Sequence, residues 1–183
     1  ATNGAQGAGP ATLERLRIEG ATTAVSANAA TVPVTLRRST ITNPTQSGVS
    51  AIGGSATVEN SVIEFSGVGT PLAVAGAPGA SGTLTARNVT LVGSAGATGP
   101  ALSSRVNGGV TGNASLTLRD SIVRGFGVTY SRAAPVSGTD GDASLTIATS
   151  NLSPTGSQSG DGTLTTTGNI DADPLFTGAS DFR

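Results

Sequence analysis

The chain has 183 residues, a formal net charge of −1, and no Cys, His, Trp or Lys. Without Cys there is no disulfide framework, thiolate metal site or thiol nucleophile, and without His the commonest general base and metal ligand is gone. Its ten basic residues, all Arg, are interleaved with eleven acids, which removes the electrostatic footprint of a nucleic-acid binder, and no apolar run approaches the roughly 20 residues that span a bilayer.

Leu, Ile, Val and Phe make up 39 of the residues, near the level at which disorder becomes plausible. The net charge is close to zero, however, and the apolar positions recur periodically, so a folded single domain is expected. Abundant Gly, Ala, Ser and Thr without Lys suggest an extracellular or cell-surface protein from a host with a GC-rich genome. The chain opens on Ala1 with no Met and no charged-then-apolar leader, as a processed or excised piece would.

Residues 1–10, "ATNGAQGAGP", form a flexible N-terminal segment by composition. A related stretch then returns seven times: "ATLERLRIEG", "VTLRRSTITN", "ATVENSVIEF", "LTARNVTLVG", "LTLRDSIVRG", "LTIATSNLSP" and the weaker "LTTTGNIDAD". Aligned on the last apolar residue of the first half, the copies place Leu13, Leu36, Val58, Ala86, Leu118, Ile147 and Thr166 in one row. A second row holds Ile18, Ile41, Ile63, Leu91, Val123 and Leu152, with Ile170 one residue early. Repeats of this length mark a solenoid.

Inside each copy the apolar residues alternate with period 2 and are often β-branched, which predicts strands. "TAVSA", "GVSAI", "PLAVA" and "PALSS" predict a third short strand in four of the coils. Loops such as "AVAGAPGASG" and "SSRVNGGVTGN" absorb the differences in repeat length. Seven coils at the ~4.8 Å strand spacing make a rod of about 34 Å. Stacked Leu, Ile and Val would fill it, with Ser39, Ser61, Ser121 and Ser150 in a narrow inward row. The expected fold is all-β: a single-domain parallel β-solenoid of about seven coils.

The pattern L-x-L-x-[N/D]-[S/V]-x-[I/V] followed by a variable loop resembles the right-handed parallel β-helix (pectate-lyase-like) superfamily. The ending "GNIDADPLFTGASDFR" is similar to the end of the helical region in bacterial secreted and surface β-helix proteins that run on into a C-terminal anchoring tail, and that tail is absent from this sequence. The resemblance implies a right-handed parallel β-helix of about seven coils over residues 11–176, with 177–183 the end of a truncated chain. It implies a fold more than an activity, because this superfold carries polysaccharide lyases and hydrolases, tailspikes and surface proteins.

A solenoid turns positions into columns. Glu14, Arg37, Glu59 and Arg87 would alternate in sign along the outside, a register-fixing ladder that breaks where Arg87 meets Arg119. Arg87 and Arg119, with Arg124 farther along, are therefore candidates to grip a carboxylate or sulfate of a polysaccharide. The next column, Arg15, Arg38, Asn60, Asn88, Asp120, Thr149 and Gly168, reads as the bend between two strands, because Asn, Asp and Gly tolerate the left-handed backbone region.

Asp142 and Asp161, with Asp140 nearby, are candidate metal ligands, since calcium takes carboxylates and loop carbonyls; Gly-Asp is equally an ordinary turn signal. Asp171 and Asp173 share one face of an extended segment, as metal ligands, as paired carboxylates, or as turn residues closing the last coil. No other cofactor is implied. Tyr130 and the four Phe are too few for a row of sugar-stacking platforms.

The expected function is a non-catalytic extracellular or cell-surface rod or adhesion module. With no capping helix predicted, its partners would be itself, end to end, or a surface glycan or protein. No nucleic-acid partner and no membrane insertion are expected. The alternative is a polysaccharide-binding or polysaccharide-degrading β-helix, a lyase or hydrolase.

Overall fold

The computed structural model describes residues 10–28, 33–94 and 96–174. The expected end segments, 1–10 (except Pro10) and 177–183, lie outside the described residues, as do Phe176 and Phe182. The first coil contains β1 (Ala11–Glu14), β2 (Arg17–Glu19) and β3 (Thr23–Ala27). The second contains β4 (Pro33–Arg37), β5 (Thr40–Thr42) and β6 (Ser47–Ile52), and the third β7 (Ser55–Glu59), β8 (Val62–Phe65) and β9 (Thr70–Ala75). The fourth has β10 (Gly82–Arg87), β11 (Thr90–Gly93) and β12 (Pro100–Arg105). The fifth has β13 (Ala114–Arg119), β14 (Ile122–Arg124) and β15 (Val128–Ala133). The sixth has β16 (Ala143–Ala148), β17 (Asn151–Leu152) and β18 (Gly156–Ser159), and β19 (Leu164–Thr167) opens a seventh.

Every strand pairs in parallel with the strands three places before and after it. Sheet 1 runs β1-β4-β7-β10-β13-β16-β19, sheet 2 from β2 to β17, and sheet 3 from β3 to β18. Parallel neighbours need a long connection, and here each connection is the rest of one coil. The protein is a parallel β-helix of six complete coils and the start of a seventh.

The aligned row is an unbroken register series: Leu13, Leu36, Val58, Ala86, Leu118, Ile147 and Thr166 are successive partners. Alternation turns these side chains inward. Leu36, Leu84, Leu116, Leu118, Leu145 and Ile147 from sheet 1 meet Ile41, Ile63 and Leu91 from sheet 2 and Leu72 and Leu102 from sheet 3, all fully buried. Each such side chain contributes about 1.5–3 kcal/mol of transfer free energy.

The bend column has the backbone expected of it. Arg15, Arg38, Asn60, Asn88, Asp120, Thr149 and Gly168 all have positive φ, between 49° and 63°. Six of the seven donate their N–H to the carbonyl of the residue ending the next sheet 1 strand, from Arg15 to Arg37 (3.1 Å) through Thr149 to Thr167 (2.9 Å). That repeated bond offsets the cost of holding non-glycine residues in a sparsely populated region. The serines just beyond are buried, as expected. Ser39, Ser61, Ser121 and Ser150 each donate to the carbonyl two residues back. Each also accepts a backbone N–H from the coil before it, from Leu16, Ser39, Val89 and Ser121 respectively. The hydroxyls therefore satisfy backbone donors that the turn takes out of the ladder. Val89 interrupts the series, and Asn169 ends it by accepting from Ser150 N–H at 2.9 Å while donating to Ile147 O.

Two details differ from the sequence reading. Ile170 does not continue the buried sheet 2 row. It bridges to Asn151 rather than Leu152, and the one-residue slip turns it outward, 59% exposed. The four expected third strands are present, but β15 and β18 join them from "VTYSRA" and "GSQS", whose polar residues hide the alternation.

Candidate functional site

The outside of sheet 1 is a lattice of side chains fixed by register. The charge row interlaces with the bend column instead of pairing only within itself. Arg37 Nε lies 2.9 Å from Glu59, Glu14 pairs with Arg38 at 3.0 Å, and Arg87 turns to Asp120 at 3.3 Å. Asn88 donates to Asn60 at 3.3 Å, and Thr149 to Asp120, so the bend column is also bonded along the rod. Beside the charges runs a column absent from the sequence reading: Thr12, Thr35, Thr57, Thr85, Thr117, Thr146 and Thr165, in unbroken register on the outer face. Each threonine lies two residues from the next outward position, so period 2 alone was enough to find it.

The candidate arginines are not gathered into one place. Arg87 and Arg119 are register neighbours on β10 and β13, but the Arg87 guanidinium is held by Asp120. Arg119 is exposed. Arg124 stands on β14 in sheet 2, with its side chain only 19% exposed. It forms an ion pair with Asp171 at 3.2 Å and donates to Asn151 Oδ1 and to the Ala172 carbonyl. Asn151 Oδ1 also accepts from Ala172 N–H at 3.2 Å, so this group fastens the segment after β19 to sheet 2. Arg124, Ser153, Asp171, Asp173 and Pro174 line an open cleft of about 450 Å³. A second of about 360 Å³ includes Asp120, Thr149, Asn151 and Ile170.

The candidate metal ligands serve the turns. Asp140 Oδ2 accepts Gly109 N–H at 3.2 Å, and Asp161 Oδ2 accepts Ser137 N–H at 3.2 Å. Asp142 follows Asn113 in the stack, with its N–H on Asn113 Oδ1 at 2.8 Å and its carbonyl accepting Ala114 N–H. Among the described residues, no three acidic side chains form a group that could hold a metal ion.

Sequence reasoning missed Arg132. It lies inward on β15, 5% exposed, in register between Ser104 and Gln158. Its guanidinium donates to the carbonyls of Ala143 (3.2 Å), Asp161 (2.8 Å) and Gly160 (3.2 Å), while Nε is buried with no hydrogen-bond partner among the described residues. A buried cation normally needs a counter-charge, and here main-chain carbonyls at the corner between sheets 3 and 1 do that work. Alignment of "VTYSRA" under "PALSSR" would have placed it inward. Comparison of the chain with protein-family models, with curated proteins and with solved structures finds no match.

Proposed function

We propose that this chain is a non-catalytic extracellular or cell-surface β-helix of a bacterial host, within the right-handed pectate-lyase-like superfamily. It acts as a structural rod or adhesion module that associates with itself end to end. The observation that supports this reading is the way polar groups are used. Arg37, Arg38, Arg87 and Arg124 are matched to Glu59, Glu14, Asp120 and Asp171, while Asp140 and Asp161 hold loop N–H groups. These groups fix coil on coil, which suits a rigid spacer. Among the described residues, β1, β2 and β3 at one end and β18 and β19 at the other are paired on one side only, while the far side of β17 meets a single bridge to Ile170. Such edges are templates for another chain, and a head-to-tail contact that repeats makes a filament. Sedimentation velocity over a wide concentration range tests this. Oligomers growing with concentration are expected, and a strict monomer throughout would remove the association.

A second reading, a polysaccharide-binding module, is favoured by the open Arg124 cleft, lined also by Ser153, Asp171, Asp173 and Pro174. A glycan-array screen with the native chain and Arg124→Met separates the readings. A hit lost in the variant supports recognition at the cleft, and an empty array leaves the rod.

A further inference from the structure

The loop between β12 and β13 carries Asn107-Gly108-Gly109, and all three residues are exposed. Val110 N–H donates to the Asn107 carbonyl at 3.2 Å, and Gly109 has φ 77°. Glycine at the third position of a four-residue turn with this bond suits a type II turn. Gly109 N–H is held by Asp140 Oδ2 at 3.2 Å. Gly108 N–H, by contrast, has no acceptor among the described residues, and a Cβ built on Gly108 would meet nothing within 4 Å. The nitrogen next to the Asn107 side chain is therefore uncommitted and unshielded.

We propose that Asn107 is a site of spontaneous deamidation in the folded protein. The Gly108 backbone nitrogen loses its proton to hydroxide and attacks Asn107 Cγ. A new C–N bond closes a five-membered succinimide as the Cγ–Nδ2 bond breaks, and the departing nitrogen takes a proton from water, restoring hydroxide, and leaves as ammonia. Water then opens the ring. Attack at Cγ yields aspartate with the ordinary peptide link, and attack at the main-chain carbonyl yields isoaspartate, with the chain routed through the side chain. No oxidant or reductant takes part.

Among the asparagines whose following residue is also described, the fold selects this one; Asn3, which precedes Gly4, and the residue after Asn28 lie outside the described residues. Asn43 precedes Pro44, which has no N–H. The N–H groups following Asn88, Asn113, Asn151 and Asn169 are bonded to Ser121 Oγ, Asp142 O, Ile170 O and Ser150 O. Asn60 precedes the buried Ser61. Either product puts a carboxylate two residues from Gly109, whose N–H is held by the Asp140 carboxylate, and like charges repel. Isoaspartate also lengthens the main chain inside the turn. The same loop takes Gly141 N–H on the Val110 carbonyl at 2.8 Å, so the clasp between loops 106–113 and 134–141 loosens after conversion.

The test is peptide mapping by mass spectrometry with isoaspartate quantification, on the folded chain held in mildly alkaline buffer, with the urea-unfolded chain as reference. In the folded chain Asn107 should convert at a rate close to its unfolded rate while Asn60, Asn88, Asn113 and Asn151 stay amidated. Gly108→Ala should slow it severalfold, with unchanged circular dichroism as the control on folding. Retention of the Asn107 amide in the folded chain while the unfolded chain converts would overturn the proposal. Conversion of Asn107 no faster than that of the other four would overturn it equally.

Discussion

Val25, Val49, Leu72 and Leu102 fill one inward column of sheet 3 through the first four coils, whereas the same column continues with Tyr130 and ends on Gly156. The neighbouring inward column changes in the same direction, from Ala27, Ala51 and Val74 to Ser104, Arg132 and Gln158. The backbone does not change with it. Positive φ at the bend and the N–H bond to the next strand continue from Arg15 to Thr149, and the parallel register never slips in sheet 1. Early coils are held by aliphatic burial, and late coils replace part of it with hydrogen bonds donated by Arg132 and Asn169. Coil geometry is thus set by the bend and the ladder, and the filling decides where stability is concentrated.

That contrast is open to direct attack. The largest effect is expected in the middle of the rod, where Leu116→Ala should cost about 2–5 kcal/mol by urea unfolding. Leu164→Ala, at the partly exposed start of the seventh coil, should cost less than about 1 kcal/mol, since little apolar area is lost there. Equal losses at the two sites would break the comparison. Arg132→Ala should come next, at about 2 kcal/mol, because the carbonyls of Ala143, Gly160 and Asp161 lose a charged donor. Hydrogen exchange should rise in 156–167 and stay unchanged in β6 and β9. Uniform loosening of all coils would refute a local brace. The smallest effect belongs to the outside: a double-mutant cycle on Arg37 and Glu59 should give about 0.2–1 kcal/mol, falling with added salt.

The repeat was legible because its signals are local. Period 2, a residue tolerant of positive φ and a following Ser recur in each copy, and each acts within a few residues of itself. Rows aligned from the sequence are therefore the register rows of the fold, and the predicted bend column is the observed one. Departures begin where a side chain chooses among partners in other coils. Glu14 pairs with Arg38 instead of its register partner Arg37, and Arg87 with Asp120. Arg124 finds Asp171 only because the segment after β19 returns to sheet 2. The repeat places Ile170 in the buried row, yet it is exposed, because a shortened turn shifts it by one residue and so to the other face.

By itself the sequence determined the parallel coil, the rows that fill it and the bend that closes each sheet 1 strand, since alternation and backbone tolerance are properties of neighbouring residues. Tertiary structure alone decided which charges meet, that Arg132 is buried against carbonyls, and that Gly108 N–H finds no acceptor among the described residues beside Asn107. Those outcomes depend on loop lengths and on the side chains one coil away, which no window along the chain contains.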